Sequence, residues 1–231
     1  MPERQSIKIE GIPAILWGKP SQKIYIHVHG KQSRKEYAED FAKIAEKKGY
    51  QTISFDLPEH GERTDSHYRC DVWNGVKDLN IIADYVFPRW NRVSLFACSL
   101  GAYFSLSAFD RRLFEKCLFQ SPIADMEWLV RHMMQWSGVS ENDLFEKGEI
   151  MTDIDLLRWD YFQYILSHPI TRWDIPTRIL YGARDNLQPQ ESIEAFAEKF
   201  GADLTISEQS EHPFMAEFDR EIVDKWLYEN I

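Results

Sequence analysis

Two nucleophilic side chains, Cys98 and Ser99, stand next to each other in the segment LFACSLGAYF, residues 95–104. The residues before them are typical of a buried strand, and those after them are typical of a helix. A nucleophile on a sharp strand-to-helix turn requires small residues two positions before and after it, because strand and helix otherwise collide. Counted from Ser99 these are Ala97 and Gly101, whereas counted from Cys98 they are a phenylalanine and a leucine. We therefore predict that Ser99 is the nucleophile and that Cys98 is a small buried apolar residue.

A serine attacks a carbonyl only when a base accepts its proton, and that base needs a carboxylate to orient it. Among the seven histidines, His212 alone lies between the last predicted strand and the last predicted helix. Two aspartates follow predicted strands, Asp185 in GARDNLQP and Asp125 in SPIAD. Asp185 also suits the N-terminus of a helix beginning near Pro189, because a short carboxylate serves turns and caps equally well. Which of these side chains can meet Ser99 depends on the elements that carry them.

Runs of β-branched and aromatic residues alternate with segments of helical periodicity along the chain. Strands are predicted at residues 6–18 (an antiparallel pair around Gly11), 23–30, 51–56, 92–97, 116–121, 177–182 and 202–207, helices at 34–50, 72–87, 100–109, 189–201 and 217–231, and a loop at 57–68. Strands that alternate with helices at this spacing indicate a mostly parallel sheet covered on both faces. The predicted fold class is α/β.

Residues 121–173 break this alternation, because they contain no convincing strand. A helix is predicted at 124–136, and a capping box at residues 152–155 predicts the start of another. A connection of this length usually has a function or a structure of its own. We interpret it as a helical cap, inserted after the sixth strand, over the sheet edge where open α/β sheets bind ligands. The predicted domains are a core formed by residues 1–122 and 174–231 and a cap formed by residues 123–173.

This pattern resembles the α/β-hydrolase superfamily over nearly the whole chain. Ala-x-Ser-x-Gly around Ser99 is similar to the commoner Gly-x-Ser-x-Gly of that superfamily. His29 and Gly30 end a strand, as does the His-Gly pair before the oxyanion loop in the superfamily. DLPEHG, residues 56–61, resembles the loop Asp-x-Pro-Gly-His-Gly, with Glu59 in place of glycine. The resemblance implies an α/β-hydrolase fold with a serine nucleophile.

The resemblance also implies a catalytic triad, Ser99, Asp185 and His212, in the chain order of the superfamily. It favours Asp185 over Asp125, because GARDNLQP (residues 182–189) matches the pattern Gly-x-x-Asp-x-x-x-Pro. Some lipases carry their acid at the position of Asp125, which therefore stays the alternative.

By the same resemblance, the backbone N–H groups of Lys31 and Leu100 would form an oxyanion hole. Many relatives have an apolar residue or glycine where this chain has Lys31, so the place of its side chain is open. His29 and His60 are interpreted as residues that shape their loops, not as catalytic bases.

The implied reaction is hydrolysis of a carboxylic ester through an acyl-enzyme, with a small to medium apolar substrate. A peptidase of the proline-iminopeptidase type, a thioesterase and a carbon–carbon bond hydrolase are alternatives on the same triad. A ligand-binding homologue without catalysis is an alternative of another class. The cap residues Trp128, Met133, Trp136 and Trp159 are candidates for an apolar substrate pocket, the alternative being that they attach the cap to the core.

The formal net charge of −10 argues against nucleic acid as a partner, because phosphate contacts need clustered lysine and arginine. The sequence contains no run of about 18 apolar residues, so we predict no membrane span. The first residues are charged and lack the apolar core of a secretory signal. Three cysteines do not suggest a disulfide framework, so we expect a cytoplasmic protein.

No metal or other cofactor is expected, since neither metal-ligand spacing nor a glycine-rich phosphate loop is present. The expected partner is a small-molecule substrate, and a homodimer is left open.

Overall fold

The computed structural model describes residues 2–64, 67–109 and 114–231. The strands are β1 (Arg4–Ile9), β2 (Ile12–Trp17), β3 (Lys23–Val28), β4 (Gln51–Phe55), β5 (Arg92–Cys98), β6 (Cys117–Gln120), β7 (Glu149–Met151), β8 (Leu156–Arg158), β9 (Thr177–Gly182) and β10 (Asp203–Ser207). The helices are α1 (Glu39–Lys47), α2 (Val72–Val86), α3 (Leu100–Ala108), α4 (Met126–Trp136), α5 (Glu141–Lys147), α6 (Trp159–Ser167), α7 (Gln190–Phe200) and α8 (Asp219–Asn230), with 3₁₀ turns at Lys35–Ala38 and Gly61–Arg63. Residues 65 and 66 of the predicted loop lie outside the described residues.

Eight strands form one sheet in the order β1-β2-β4-β3-β5-β6-β9-β10. The pairs β1–β2 and β2–β4 are antiparallel, and the remaining neighbours are parallel. Every residue of β4 is buried, which is the continuous burial expected of a strand covered on both faces. The predicted α/β class with a mostly parallel sheet is confirmed.

Helices cover both faces of this sheet and enclose two apolar layers. The larger layer lies under α2, α3 and the segment between β6 and β9, with fully buried rings such as Phe104 and Phe119. The second layer lies under α1 and α8 and contains Tyr25 and Trp226. Because β5, β9 and β10 run parallel, the loops that follow them leave the sheet at one edge, where the sequence places Ser99, Asp185 and His212.

The segment between β6 and β9 corrects the prediction that it holds no strand. β7 and β8 form a two-stranded antiparallel hairpin, and the predicted capping box lies in its turn. Thr152 Oγ1 accepts the N–H groups of Ile154 and Asp155 at 3.1 Å and donates to the Asp155 carbonyl at 2.7 Å. The same short side chain that caps a helix closes this turn, so the following helix, α6, begins only at Trp159.

A second difference in this segment is α5, which the sequence pattern did not predict. Its N-terminus has a true capping box, in which Ser140 Oγ accepts the Asp143 N–H and the Asp143 carboxylate accepts the Ser140 N–H. The helix has only seven residues, too few for a periodic apolar pattern to stand out. α4 is present as predicted. The domain boundaries at 122/123 and 173/174 stay a prediction.

Charged and aromatic contacts join the hairpin and α6 to the loop before α2 and to α2 itself. Arg158 pairs with Asp71 at 3.1 Å, and Arg69 pairs with Glu149 at 2.6 Å. Trp73 meets two tyrosines of α6 edge-on, with ring centroids 5.9 and 5.2 Å apart. These contacts hold the segment against the loop before α2 and the first turn of α2, and its predicted place over the sheet edge stays a prediction.

A buried ion pair, Lys35 with Asp56, ties the loop after β3 to the end of β4. Lys35 Nζ lies 2.7 Å from Asp56 Oδ2, and the two side chains are 3% and 0% exposed. Burial opposes ionisation of Asp56, but hydrogen bonds from Lys35 outweigh it and hold the pKa of this carboxyl below its usual range. The Asp56 carboxylate also accepts the Glu62 N–H at 3.0 Å. Both loops are therefore fixed by one carboxylate.

Lys35→Met is expected to lower the free energy of unfolding by about 3–5 kcal/mol, because it leaves the Asp56 carboxylate buried without a cation. Urea unfolding at neutral pH measures the loss, and the double variant with Asp56→Asn is expected to recover part of it. Since the folded pKa of Asp56 is depressed, the pair stabilises the protein above the unfolded carboxyl pKa of about 4. That contribution is lost as the pH falls through the folded pKa. A single variant as stable as wild type would contradict this account.

Candidate active site

Ser99 occupies a strained turn between β5 and α3. Its backbone angles are φ 52° and ψ −122°, a conformation that costs a residue with a side chain about 1–3 kcal/mol. Three hydrogen bonds hold it there. The Ser99 N–H donates to the Gln120 carbonyl at 3.2 Å, and the Ser99 carbonyl accepts the N–H groups of Ala102 at 3.0 Å and Ile123 at 3.2 Å. The side chain is thereby presented at the end of the strand.

Two glycines allow the backbone to pack this closely around Ser99. A Cβ atom on Gly101 would overlap with the carbonyl oxygen of His29 and lie 2.9 Å from that of Val28. A Cβ atom on Gly30 would lie 3.0 Å from Ser99 Cβ. The small residue predicted two positions after the nucleophile, Gly101, is therefore required because the backbone at the end of β3 leaves no room for a Cβ atom.

Gly101→Ala is expected to destabilise the protein by about 1–3 kcal/mol, the usual cost of overpacking. Two of the three nearest atoms are the backbone carbonyl oxygens of His29 and Val28, which cannot move aside as a flexible side chain would. Thermal unfolding of the variant tests this, with Gly138→Ala as a comparison, because a Cβ atom on Gly138 meets nothing within 4 Å. Gly138 has a φ of +63°. Its alanine variant therefore measures the cost of backbone strain in the absence of a steric clash. Equal losses in the two variants would contradict the steric explanation.

The neighbouring thiol, Cys98, is unsuited to nucleophilic attack. Burial, together with the nearby Asp185 carboxylate, raises the pKa of the Cys98 thiol to about 12. A thiol with such a pKa is protonated at neutral pH, and the thiolate is the reactive form. Cys98 packs against the apolar layer under α1 and α8.

Ser99, His212 and Asp185 form one hydrogen-bonded chain. Ser99 Oγ lies 2.8 Å from His212 Nε2, and His212 Nδ1 lies 2.7 Å from Asp185 Oδ2. Because a carboxylate can only accept, Nδ1 carries the proton and Nε2 is left to accept the serine hydroxyl. The histidine and aspartate side chains are 7% and 0% exposed. The structure thus joins three residues that are far apart in the sequence.

The Asp185 carboxylate is oriented by its own loop. Its Oδ1 atom accepts the N–H groups of Leu187 at 2.8 Å and Gln188 at 3.2 Å, so only Oδ2 faces the histidine. α7 begins at Gln190 with Pro189 at its N-cap position and no side-chain cap. Asp185 therefore shapes a turn and contacts His212, and it does not cap the helix.

The alternative acid, Asp125, lies elsewhere. It is the N-cap residue of α4, where its Oδ1 atom accepts the Trp128 N–H at 2.9 Å. Gln188, which is fully buried, accepts the N–H groups of Ala124 and Asp125 at 2.9 and 2.7 Å. Gln188 thus connects the loop of Asp185 with the start of α4, a role that sequence reasoning missed because its partners are remote in sequence.

His29 and His60 hold the loop that carries Lys31. His29 Nε2 accepts the Leu57 N–H at 3.1 Å, and His60 Nε2 accepts the Gln32 N–H at 3.0 Å. Burial lowers the pKa of His29 to about 4, so its acceptor nitrogen stays unprotonated at neutral pH. His29 therefore bonds to the loop after β4, and His60 bonds from that loop to Gln32, the residue next to Lys31.

The two predicted oxyanion donors start from different elements. Leu100 is the first residue of α3, where backbone N–H groups have no partner within the helix. Lys31 follows Gly30, whose backbone packs against Ser99. The Lys31 side chain forms an ion pair with Asp155 in the turn between β7 and β8. Lys31 thus links the loop after β3 to the hairpin of β7 and β8.

The four aromatic and methionine candidates of the segment contact other rings of the segment or the core. Trp128 stacks on His132 with ring centroids 3.5 Å apart, and Trp136 meets the same ring edge-on at 5.7 Å. Trp159 lies edge-on to a phenylalanine of α5 at 5.2 Å. Met133 is partly buried against the larger apolar layer. A contact with substrate stays a prediction for all four.

Within the described ranges, no group of three or more histidine, cysteine, aspartate or glutamate side chains is arranged to hold a metal ion. None of the helices in those ranges has both the length and the apolar character needed to cross a bilayer.

Several solved structures are similar to this chain over nearly its full length. Est1E from Butyrivibrio proteoclasticus, solved with bound ferulic acid, has a TM-score of 0.79 at 17% identity, covering 97% of this chain and 96% of that one. Alpha/beta hydrolase domain-containing protein 10 from mouse has a TM-score of 0.77 at 18% identity, with 98% and 97% covered. The Pyrococcus furiosus esterase Pf2001 has a TM-score of 0.70 at 17% identity, with 99% and 90% covered. No protein-family model and no curated protein matches the sequence. At these identities the likeness concerns architecture: the chain has the α/β-hydrolase fold.

Proposed function

We propose that the protein is a serine hydrolase that cleaves carboxylic esters through an acyl-enzyme. The observation that carries this proposal is the hydrogen-bonded chain from Ser99 Oγ through His212 to Asp185, at 2.8 and 2.7 Å. A serine, a base and an orienting carboxylate in this order are the elements of nucleophilic acyl transfer. A protein that only binds a ligand has no need for all three.

In the proposed reaction, Ser99 Oγ attacks the ester carbonyl while His212 Nε2 takes the hydroxyl proton. Asp185 keeps the imidazole in the reactive tautomer and stabilises the imidazolium. The N–H groups of Lys31 and Leu100 are the proposed donors to the oxyanion, and such a donor typically contributes about 2.7–4 kcal/mol to the lowering of the barrier. His212 then protonates the leaving alcohol, and a water molecule activated by the same base releases the acid from Ser99.

An apolar acyl or alcohol group of small to medium size is our proposed substrate class. Trp128, Met133, Trp136 and Trp159 are the proposed sources of apolar contact in the segment over the sheet edge. One of the similar structures, Pf2001, is named as an esterase, and another, Est1E, was solved with an aromatic acid, ferulic acid. An ester of a hydroxycinnamic acid therefore belongs among the first substrates to be tried.

Labelling with a fluorophosphonate probe, read by intact mass, tests the proposal. Wild type and Cys98→Ala are expected to gain one adduct, and Ser99→Ala is expected to gain none. Turnover of p-nitrophenyl esters of increasing chain length, a hydroxycinnamate ester, a thioester and a proline amide then separates the ester hydrolase from its alternatives. Folded wild type that takes no adduct and hydrolyses nothing in this set would favour the ligand-binding homologue.

A further inference from the structure

The loop between β10 and α8 carries His212 and is held by a buried carboxylate, Asp219. Asp219 is the first residue of α8 and is 1% exposed. Its Oδ1 atom accepts the Ser210 hydroxyl at 2.6 Å, and its Oδ2 atom accepts the Ala216 N–H at 2.9 Å. These two partners lie on either side of His212 in the sequence. The Asp219 carboxylate therefore holds the loop on both sides of the base, His212.

Ser210 connects Asp219 to the loop that carries the acid, Asp185. The Ser210 carbonyl accepts the Arg184 N–H at 3.1 Å, and a Cβ atom on Gly182 would overlap with the same carbonyl. Ser210 is fully buried, and its hydroxyl also accepts the Ser207 hydroxyl at 2.7 Å. The backbone of the acid loop thus rests on a residue whose side chain is fixed by Asp219.

A simpler reading is that Asp219 merely complements the positive end of the α8 dipole. Both of its oxygens, however, bond to loop residues that precede α8. Glu221 lies in the same first turn and is exposed, so it offers the same contribution to the dipole from a solvent-facing side chain. Asp219 bonds to the loop and Glu221 faces solvent. Glu221 is therefore the matched control.

We propose that Asp219 is a positioning residue, which sets His212 against Ser99 and Asp185 through Ser210 and Ala216. This inference rests on the proposed function. Without the Asp219 carboxylate, the loop of His212 keeps the contact between Gln120 Nε2 and the Pro213 carbonyl at 2.9 Å and the backbone bond from the Asp219 N–H to the Ala216 carbonyl at 3.0 Å. It loses both side-chain bonds, those from Ser210 and Ala216. The imidazole then samples positions outside the hydrogen-bonded chain.

Asp219→Ala is expected to lower kcat for ester hydrolysis by about 10- to 100-fold, since a displacement of about 1 Å has effects of this size. KM is expected to stay nearly constant, because Asp219 does not touch substrate. Asp219→Asn is expected to recover much of the rate, because its amide oxygen can accept the Ala216 N–H and its NH₂ group can donate to Ser210. Glu221→Gln is expected to behave as wild type.

A spectroscopic signal separates positioning from a loss of folded protein. The proton on His212 Nδ1, bonded to Asp185, is expected to give a downfield proton resonance that disappears in His212→Gln. In folded Asp219→Ala this resonance should broaden or shift, and in Glu221→Gln it should not. If Asp219→Ala does not fold, Ser210→Ala serves instead, with the same direction expected for rate and resonance.

Unchanged kcat and an unchanged resonance in Asp219→Ala would overturn the inference, as would equal losses in Asp219→Ala and Glu221→Gln. A wild type that hydrolyses no ester would instead contradict the proposed function. The resonance would still report whether Asp219 positions His212, so the two failures are distinguishable.

Discussion

Replacing Ser99 with alanine is expected to lower kcat for ester hydrolysis by about 10⁶-fold, the loss typical of removing the nucleophile from a serine triad. The variant lacks the only atom that can form the acyl bond in the proposed reaction. The Cβ atom is retained, so the packing against Gly30 is unchanged. Steady-state kinetics with an activated ester measure the loss, and circular dichroism checks the fold. Turnover comparable with wild type would exclude Ser99 as the nucleophile.

Ser99→Gly provides a second, thermodynamic test of the same turn. Glycine adopts a φ of 52° freely, which relieves about 1–3 kcal/mol of strain but costs about 0.5–1 kcal/mol of chain entropy. We therefore expect Ser99→Gly to be more stable than Ser99→Ala by about 1 kcal/mol and equally inactive. Urea unfolding of the two variants measures the difference. A more stable alanine variant would show that the turn is not strained.

The turn around Ser99 could be predicted from the sequence because its requirement is local and steric. Ala97 and Gly101 are the small residues that the turn needs, and Gly101 indeed faces backbone atoms of β3. The order of strands and helices in the sheet region could be predicted for a similar reason. Apolar periodicity reports burial within one element, and the elements here are long enough to display it.

The segment between β6 and β9 was less predictable because its signals are short and ambiguous. A threonine followed three residues later by an aspartate suits a helix cap and a hairpin turn equally, and the choice at Thr152 depends on pairing of two three-residue strands. The partners of Gln188 and Asp219 lie on other loops, so no local pattern marks them. Their roles follow from tertiary structure alone.

Asp185→Asn is expected to lower kcat by about 10⁴-fold, the effect of presenting an amide to the histidine of a serine triad. The amide NH₂ group can donate to His212 Nδ1, which then gives up its proton. Nε2 becomes the protonated nitrogen and can no longer accept the Ser99 hydroxyl. The backbone N–H groups of Leu187 and Gln188 bond to Oδ1, and an asparagine oxygen keeps these contacts. The loop should therefore stay in place while the tautomer changes.

Asp125→Asn is the matched control for this variant, because the same atom is replaced in the aspartate that the sequence left as the alternative acid. Asparagine caps helices as well as aspartate does, so α4 should keep its N-cap bond to Trp128. We expect kcat within about twofold of wild type, given that Asp125 bonds to the start of α4 and cap exchanges of this kind cost little. Kinetics of the two variants on one ester decide between the acids. A larger loss in Asp125→Asn than in Asp185→Asn would transfer the role of the acid to Asp125 and would require His212 to move away from the position that it has here.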